Sequence, residues 1–397
     1  MITKSSVGAM LLVTGCCIGA GMVGLPVLSA QAGFIPTTIA MLFIYGFTTV
    51  TGLLIMEAAL WYDRPVNLMT IVESAFGKSG KIATMLLFLF LFYCLFVAYF
   101  DGGGQLFSEA LSAFFHAPIP KDIGILVFLG LTAAITYHGT KLVVQVNRVL
   151  LTVLVVSYLM LVFMAIPQVA AINLTHVNLE ASLFTVPILM ICFGYQNLVP
   201  SLVTYLKNDV RQIRFAIIAG NFIPFIIYLV WNAVILGMIP ASQLPRASGA
   251  DLVTQLLSSS GHLDSVNFFL KTFSLFAILT PILPITLSFI DFLKDGFIAS
   301  GQRGHESNLP YYGMVFLPPL VFTLLYPNLF LEALGFAGGF IDVLLFGMIP
   351  ALVILHNRKK YHAKGRYQLT GGKITPILII LVCLVILLIK HYTPASA

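Results

Sequence analysis

The sequence predicts an all-α polytopic membrane protein, and three observations carry that expectation. Apolar residues make up 59% of the 397 residues and charged residues only 9%, whereas a soluble domain carries about 25% charged residues. Mean hydropathy is +0.99. Apolar runs of roughly 20 residues, the length a helix needs to cross a bilayer, recur along the whole chain.

In order, these runs form eleven candidate spans at 6–30, 34–60, 82–114, 122–137, 146–168, 181–205, 212–238, 266–295, 309–326, 329–355 and 374–391. Span 1 is interrupted by Gly19-Ala20-Gly21-Met22-Val23-Gly24-Leu25-Pro26. Its end, Ser29-Ala30-Gln31-Ala32-Gly33, imitates a signal-peptidase site. The preceding stretch is too long and too glycine-broken for a signal-peptide core, so it is read as a retained span. Span 2 holds Glu57 near one end. Between spans 2 and 3, residues Asn67 to Lys78 carry an apolar stripe at helical spacing and predict a short helix on the membrane surface. Span 3 holds Tyr93, Tyr99 and Asp101, and spans 4 and 5 follow with short connections. Span 6 repeats the interruption of span 1 at Cys192-Phe193-Gly194-Tyr195-Gln196-Asn197, with Pro200-Ser201 beyond. Before span 8, Ala250 to Leu257 predicts an extracellular lid helix; the span itself holds Lys271 and Thr280. Span 10 holds Asp342, and a basic loop leads to span 11. No stretch is long enough for a soluble domain.

Basic residues orient the spans. With the N-terminus in the cytoplasm, 17 of the 21 Lys and Arg residues fall in inside segments, leaving Lys121, Arg246, Lys271 and Lys390. The positive-inside rule then predicts a cytoplasmic N-terminus and a periplasmic C-terminus. The net charge of +6 sits in short loops and does not point to nucleic acid. Five cysteines (Cys16, Cys17, Cys94, Cys192, Cys383) lie inside apolar segments without metal-ligand spacing, so neither a metal nor a disulfide framework is expected.

The organisation that follows is two halves of five spans and an appendage. Residues 1–172 hold spans 1–5, residues 173–357 hold spans 6–10, and residues 358–397 hold a cytoplasmic basic loop and span 11. Five is odd, so the second half begins on the opposite side of the membrane and the repeat is inverted. Non-helical backbone at membrane depth is tolerated only where it lines a protein-walled or watery cavity. Matched breaks in corresponding positions of two halves point to the binding site of a secondary transporter. At the first break the N–H groups of Gly19, Ala20 and Gly21 are free at a positive helix end, suited to a carboxylate. Carbonyls around Cys16, Cys17 and Ile18, and around Cys192 and Phe193, suit an ammonium. Met22, Gly194, Gln196 and Asn197 complete the two broken segments, and Phe193, Tyr195 and Tyr99 offer aromatic faces.

Three segments in this order, Gly19 to Pro26, Phe193-Gly194-Tyr195 with Pro200-Ser201-Leu202, and Phe289-Ile290-Asp291-Phe292-Leu293-Lys294-Asp295-Gly296, resemble the bacterial aromatic amino acid permeases. These are the tyrosine- and tryptophan-type members of the hydroxy/aromatic amino acid permease family, within the amino acid–polyamine–organocation superfamily. The resemblance spans essentially the whole chain. It implies a leucine-transporter-like fold: a 5+5 inverted repeat with discontinuous helices 1 and 6 and an extra helix 11. It also implies proton-driven import of an aromatic amino acid, with tyrosine the first choice, across the bacterial inner membrane. A sodium-coupled or broader-specificity amino acid transporter is the alternative, and a sensor that binds without transport is a further one.

Two positions depart from the family pattern. Asp101 stands where a small uncharged residue is usual, and Gln196 where histidine is expected. Asp101 and Lys271 are intramembrane charges of opposite sign, expected to pair across neighbouring helices and to be candidates for ion coupling. In sodium-driven members of the implied fold, two hydroxyls on span 8 complete the ion site. Here Thr280 is a lone hydroxyl followed by Pro281, a poor start for a shell of about five or more oxygens. The proton is therefore the expected coupling ion. No cofactor, nucleotide-binding domain or catalytic triad is legible, so enzyme and pump readings fall away. A channel reading is disfavoured because the polar backbone gathers at two breaks and forms no continuous ring.

Overall fold

The computed structural model describes residues 3–238, 264–299, 309–361 and 367–392; the lid helix expected at 250–257 lies outside them. Among the described residues every regular element is helical. α1 (Lys4–Cys17) and α2 (Ala20–Ala32) form one span bent by 54°. α3 (Phe34–Ala59) follows directly. α4 (Leu68–Phe115) opens on an Asn67 cap whose side chain accepts the Thr70 N–H at 2.9 Å. It is interrupted at Gly77, where φ is 66°, a left-handed value that glycine adopts without a Cβ penalty. The turn preceding Gly77 is the short helix expected between spans 2 and 3. Next come α5 (Lys121–Tyr137) and α6 (Thr140–Ala165), the latter starting six residues before the apolar run does.

The second half begins with α7 (Leu179–Cys192), a short 3-10 turn at Gln196–Leu198, and α8 (Val199–Tyr205). α9 (Val210–Met238) and α10 (Asp264–Ala299) are long spans, followed by α11 (Leu309–Leu325). α12 (Phe330–Phe336) then runs into a wide π-helical segment, Ala337–Met348, before α13 (Ile349–Tyr361) and α14 (Ile374–Tyr392). At the end of the π segment the Ile349 N–H still reaches back five residues, to the Leu344 carbonyl.

Among the described residues seven helices are long and apolar enough to cross a membrane, and the bent α1–α2 pair, taken as one span, makes an eighth. Leu309–Leu325 and Ile374–Ile389 are shorter apolar helices. Leu42, Phe43, Phe163 and Leu388 are exposed on outer faces, which suits a surface in contact with lipid. At the centre α2 packs against α7 and α9, and Phe193, Tyr195, Tyr228 and Trp231 are buried there.

Ion pairs tie the periphery. The Arg358 guanidinium forks onto Glu57, with Nε and Nη2 each 2.8 Å from a carboxylate oxygen, and the Leu369 N–H donates to the same carboxylate at 2.8 Å. Asp101 also has three donors: Lys121 Nζ at 2.7 Å, and the backbone N–H groups of Asn328 at 3.0 Å and Phe330 at 3.2 Å. The expected Asp101–Lys271 pair is therefore not formed. Pro120 turns the chain so that Lys121 opens α5 beside Asp101, while Lys271 meets Glu109, two turns further along α4, at 3.4 Å. In the loop before α9, Asp209 accepts from the Gln212 side chain at 2.7 Å and from two backbone N–H groups. Those bonds, the Gln212 side chain foremost, hold its carboxyl below the usual carboxylate range.

Candidate functional site

The two sequence breaks touch. α1 stops at Cys17, and both Ile18 and Gly19 are extended before α2 resumes at Ala20. The N–H groups that open α2 have no intrahelical acceptor. α7 stops at Cys192, after which the Gly194 N–H reaches only to Ile191 O (3.1 Å) and the Tyr195 N–H to Phe193 O (3.2 Å). A β-carbon on Gly21 would lie 2.8 Å from Cys192 Sγ, and one on Gly24 would lie 2.6 Å from Ile188 Cδ1. The glycines thus let α2 approach α7 more closely than any side chain permits. Gly21 is buried in that contact, whereas Ile18, Gly19, Ile191 and Gly194 keep partial access and Asn197 is exposed.

α9 clamps both breaks from one side. The Tyr228 hydroxyl donates to the Cys17 carbonyl and lies 3.2 Å from the Cys192 carbonyl, so one O–H serves the ends of both interrupted helices. Trp231 Nε1 donates to Met22 O at 2.9 Å. The Asn221 amide donates to Thr48 and Thr49 of α3 at 3.1 and 2.9 Å. Sequence reading missed these three residues. The available signal was a set of polar-tipped side chains in an otherwise apolar span, and such groups need a buried partner. Their placement narrows the expected ammonium site, because the Cys17 and Cys192 carbonyls already accept from Tyr228. Half-helix C-termini carry partial negative charge, and the hydroxyl lies where a cation would otherwise be drawn.

The expected aromatic residues are buried and engaged. Phe193 packs edge-on against Tyr228 (5.6 Å) and Tyr45 (6.5 Å). Tyr195 lies against Gly52 of α3 and its hydroxyl donates to Thr48 O at 3.0 Å. Both rings therefore fasten the second break to α3 and α9. Tyr99 is buried on α4.

A different set of groups is left unsatisfied. Gln196 is buried, with its amide nitrogen 3.5 Å from Thr51 Oγ1 and its Oε1 without a partner. Among the described residues the Thr280 hydroxyl has none either, and its neighbour Pro281 lies 3.5 Å from where a Gly19 β-carbon would stand. Asp342 Oδ1 is likewise unpartnered, and Oδ2 lies 3.6 Å from the corresponding position on Gly194. Buried polar atoms normally find partners, and three that do not lie beside the two breaks. No cluster of His, Cys, Asp or Glu with metal-site geometry occurs among the described residues.

Interrupted helices pressed together inside an all-helical, strongly apolar bundle define the class: a membrane transport protein. The chain belongs to the tryptophan/tyrosine permease family, whose model matches residues 2–390. It is 30% identical to tyrosine-specific transport system 2 of Haemophilus influenzae, covering 98% of this chain and 97% of the relative. It is 28% identical to glutamine transporter 2 of Aliivibrio fischeri, covering 96% and 98%. Its fold matches the crystal structure of MhsT in complex with L-phenylalanine, with a TM-score of 0.70 over 97% of each chain at 16% identity. The expected fold class, a leucine-transporter-like helical membrane protein that is not an enzyme, therefore holds.

Proposed function

We propose that this protein is a secondary active transporter that imports an aromatic amino acid, tyrosine foremost, by proton symport and alternating access across the bacterial inner membrane. The observation that carries the reading is the meeting of the two breaks, with open N–H groups at Gly19 and Ala20 and unsatisfied polar atoms at Gln196 and Thr280 beside them. A carboxylate fits the N-terminus of α2. An ammonium has the second lone pairs of the Cys17 and Cys192 carbonyls. The tyrosine-specific relative supports the aromatic side chain. Residues 1–172 and 173–357 form the two inverted halves in this reading, with the N-terminus cytoplasmic and the C-terminus periplasmic.

Proton coupling is favoured over sodium because Thr280 is the lone hydroxyl on its stretch of α10, a poor start for a cation shell of about five or more oxygens. The second reading is a transporter of broader or more polar specificity. It is supported by the glutamine-transporting relative and by Phe193 and Tyr195 being engaged in packing.

Competition uptake in proteoliposomes separates these readings. Tyrosine, tryptophan, phenylalanine, leucine and glutamine are compared at several pH values, with and without sodium. Aromatic competitors should dominate and a proton gradient should suffice. Dominance by glutamine would replace the first reading with the second. Binding without saturable accumulation would leave a sensor. Placement is tested at Gly19, where a β-carbon meets only Pro281 at 3.5 Å. Gly19→Leu should fold yet lose substrate binding, because its side chain fills the space beside the open N–H groups; wild-type affinity would refute the placement.

A further inference from the structure

The transport reading leaves open which group carries the proton, and the three buried acids among the described residues, Glu57, Asp101 and Asp342, differ in a way that answers it. Glu57 and Asp101 each accept from a cation and from backbone N–H groups. Asp342 is 3% exposed, and no hydrogen bond or ion pair to it occurs among the described residues. An unpaired carboxylate in that setting bears the desolvation penalty of a buried ion with nothing to offset it. The neutral acid avoids most of it.

The backbone that presents Asp342 is unusual as well. Residues 337–348 are wound as a π-helix, with Asp342 at the middle. Wide turns of this kind are rare and concentrate at functional sites. The segment is pressed onto α7 at its start: a β-carbon on Gly338 would collide with the Pro187 carbonyl. Asp342 Oδ2 then faces the non-helical segment at Gly194. The carboxyl is thus held against the second break, where transporters of this class place substrate and coupling-ion sites.

Among the described residues no cation shares its surroundings. On the helices packed against the π segment, the near titratable groups are the thiols of Cys94 on α4 and Cys383 on α14, the latter donating to Val343 O at 3.7 Å. Tyr93 of α4 is bound to Met314 O at 3.0 Å. Among the described side chains of the same helices, Asp101 is paired with Lys121, Glu57 with Arg358, Glu109 with Lys271 and Glu73 with Lys81, and Lys78 is exposed. Glu180, Glu332 and His356 are exposed.

We propose that Asp342 is the proton-carrying residue of this transporter, a buried carboxyl on a π-helical turn that reports its protonation directly to the break at Gly194. The inference rests on the proton-symport reading above. In each cycle one O–H bond forms on the carboxyl as a proton enters from the outer side, and that bond breaks as the proton leaves to the inner side. Carried with a zwitterionic amino acid, the proton makes the net movement one positive charge. The neutral acid permits the packing seen here, and loss of the proton, by leaving an unpaired charge, drives α7 and the π segment apart.

The test is Asp342→Asn in proteoliposomes, beside the wild type, with substrate accumulation under an imposed pH gradient and counterflow exchange read in parallel. Asparagine keeps the shape and removes the titration. The expected result is complete loss of pH-driven accumulation, and of substrate-dependent proton entry read by a trapped pH dye, while exchange continues. Wild-type accumulation by Asp342→Asn would overturn the assignment and leave proton symport standing. Accumulation by the wild type that ignores the pH gradient and requires sodium would overturn both. If the asparagine variant does not fold, Asp342→Glu carries the test. Its accumulation should persist with a displaced pH dependence, and an unmoved pH profile would overturn the proposal.

Discussion

The carboxylates at the rim of the bundle and the one at its centre are treated in opposite ways. Glu57 is buried at 1% exposure yet fully solvated by protein, through a bidentate Arg358 and the Leu369 N–H. Asp342 is as deeply buried, and no group among the described residues answers it. A desolvated charge is tolerable only when paired and hydrogen-bonded, and only Glu57 meets that condition. It holds α13, and the loop before α14, onto α3. Asp342 lies against a break in a helix, where an acid can change state. A buried acid with three donors is a rivet, and one with none is a switch.

The sharpest way to break this contrast is to damage a rivet. Glu57→Gln leaves Arg358 buried without its counter-charge, and loss of one partner of a buried pair costs about 3–5 kcal/mol. Thermal unfolding in detergent should show that loss, while pH-driven accumulation per folded molecule persists. An unchanged midpoint would mean that the pair does not hold the helices together.

Asp101→Asn should cost less, about 1–3 kcal/mol, because the amide oxygen still accepts one of the two backbone N–H groups. Coupling should survive here as well. If Asp101→Asn abolishes accumulation while Asp342→Asn does not, the roles assigned to the two acids are exchanged.

Tyr228→Phe removes the single hydroxyl shared by the Cys17 and Cys192 carbonyls. Its effect should be about 1–2 kcal/mol on stability, with a larger proportional effect on substrate affinity, measured by binding and by unfolding on the same preparation. Equal effects on both would make it a packing residue only. The smallest change is expected at Lys271, whose 3.4 Å contact with Glu109 is half exposed. Lys271→Ala should shift stability by no more than about 1 kcal/mol and leave the pH profile alone. A lost pH response would restore it as a coupling residue.

Much of this molecule was legible without coordinates, because bilayer chemistry constrains it locally. Runs of apolar residues must be helices when no water can satisfy their backbone. Glycine and proline at Gly19 to Pro26 and the Phe193 to Asn197 segment mark both interruptions, but the first is confined to Ile18 and Gly19, and Ala20 to Pro26 is helical. The charge chemistry was legible only in part. That Glu57, Asp101 and Asp342 need an explanation follows from their position in apolar spans, but which of them finds a partner depends on helices distant in sequence. Lys121, and not Lys271, reaches Asp101 because Pro120 returns the chain beside α4, a matter of loop path. Arg358 reaches Glu57 from 301 residues away. The polar tip of Tyr228 in an apolar span says that it needs a partner but not which one, and Phe193 and Tyr195 have no mark that says they face α9 and α3. Apolar length and helix breakage are properties of a few adjacent residues, whereas pairing and its absence depend on which helices pack together, and that is decided only when the bundle closes.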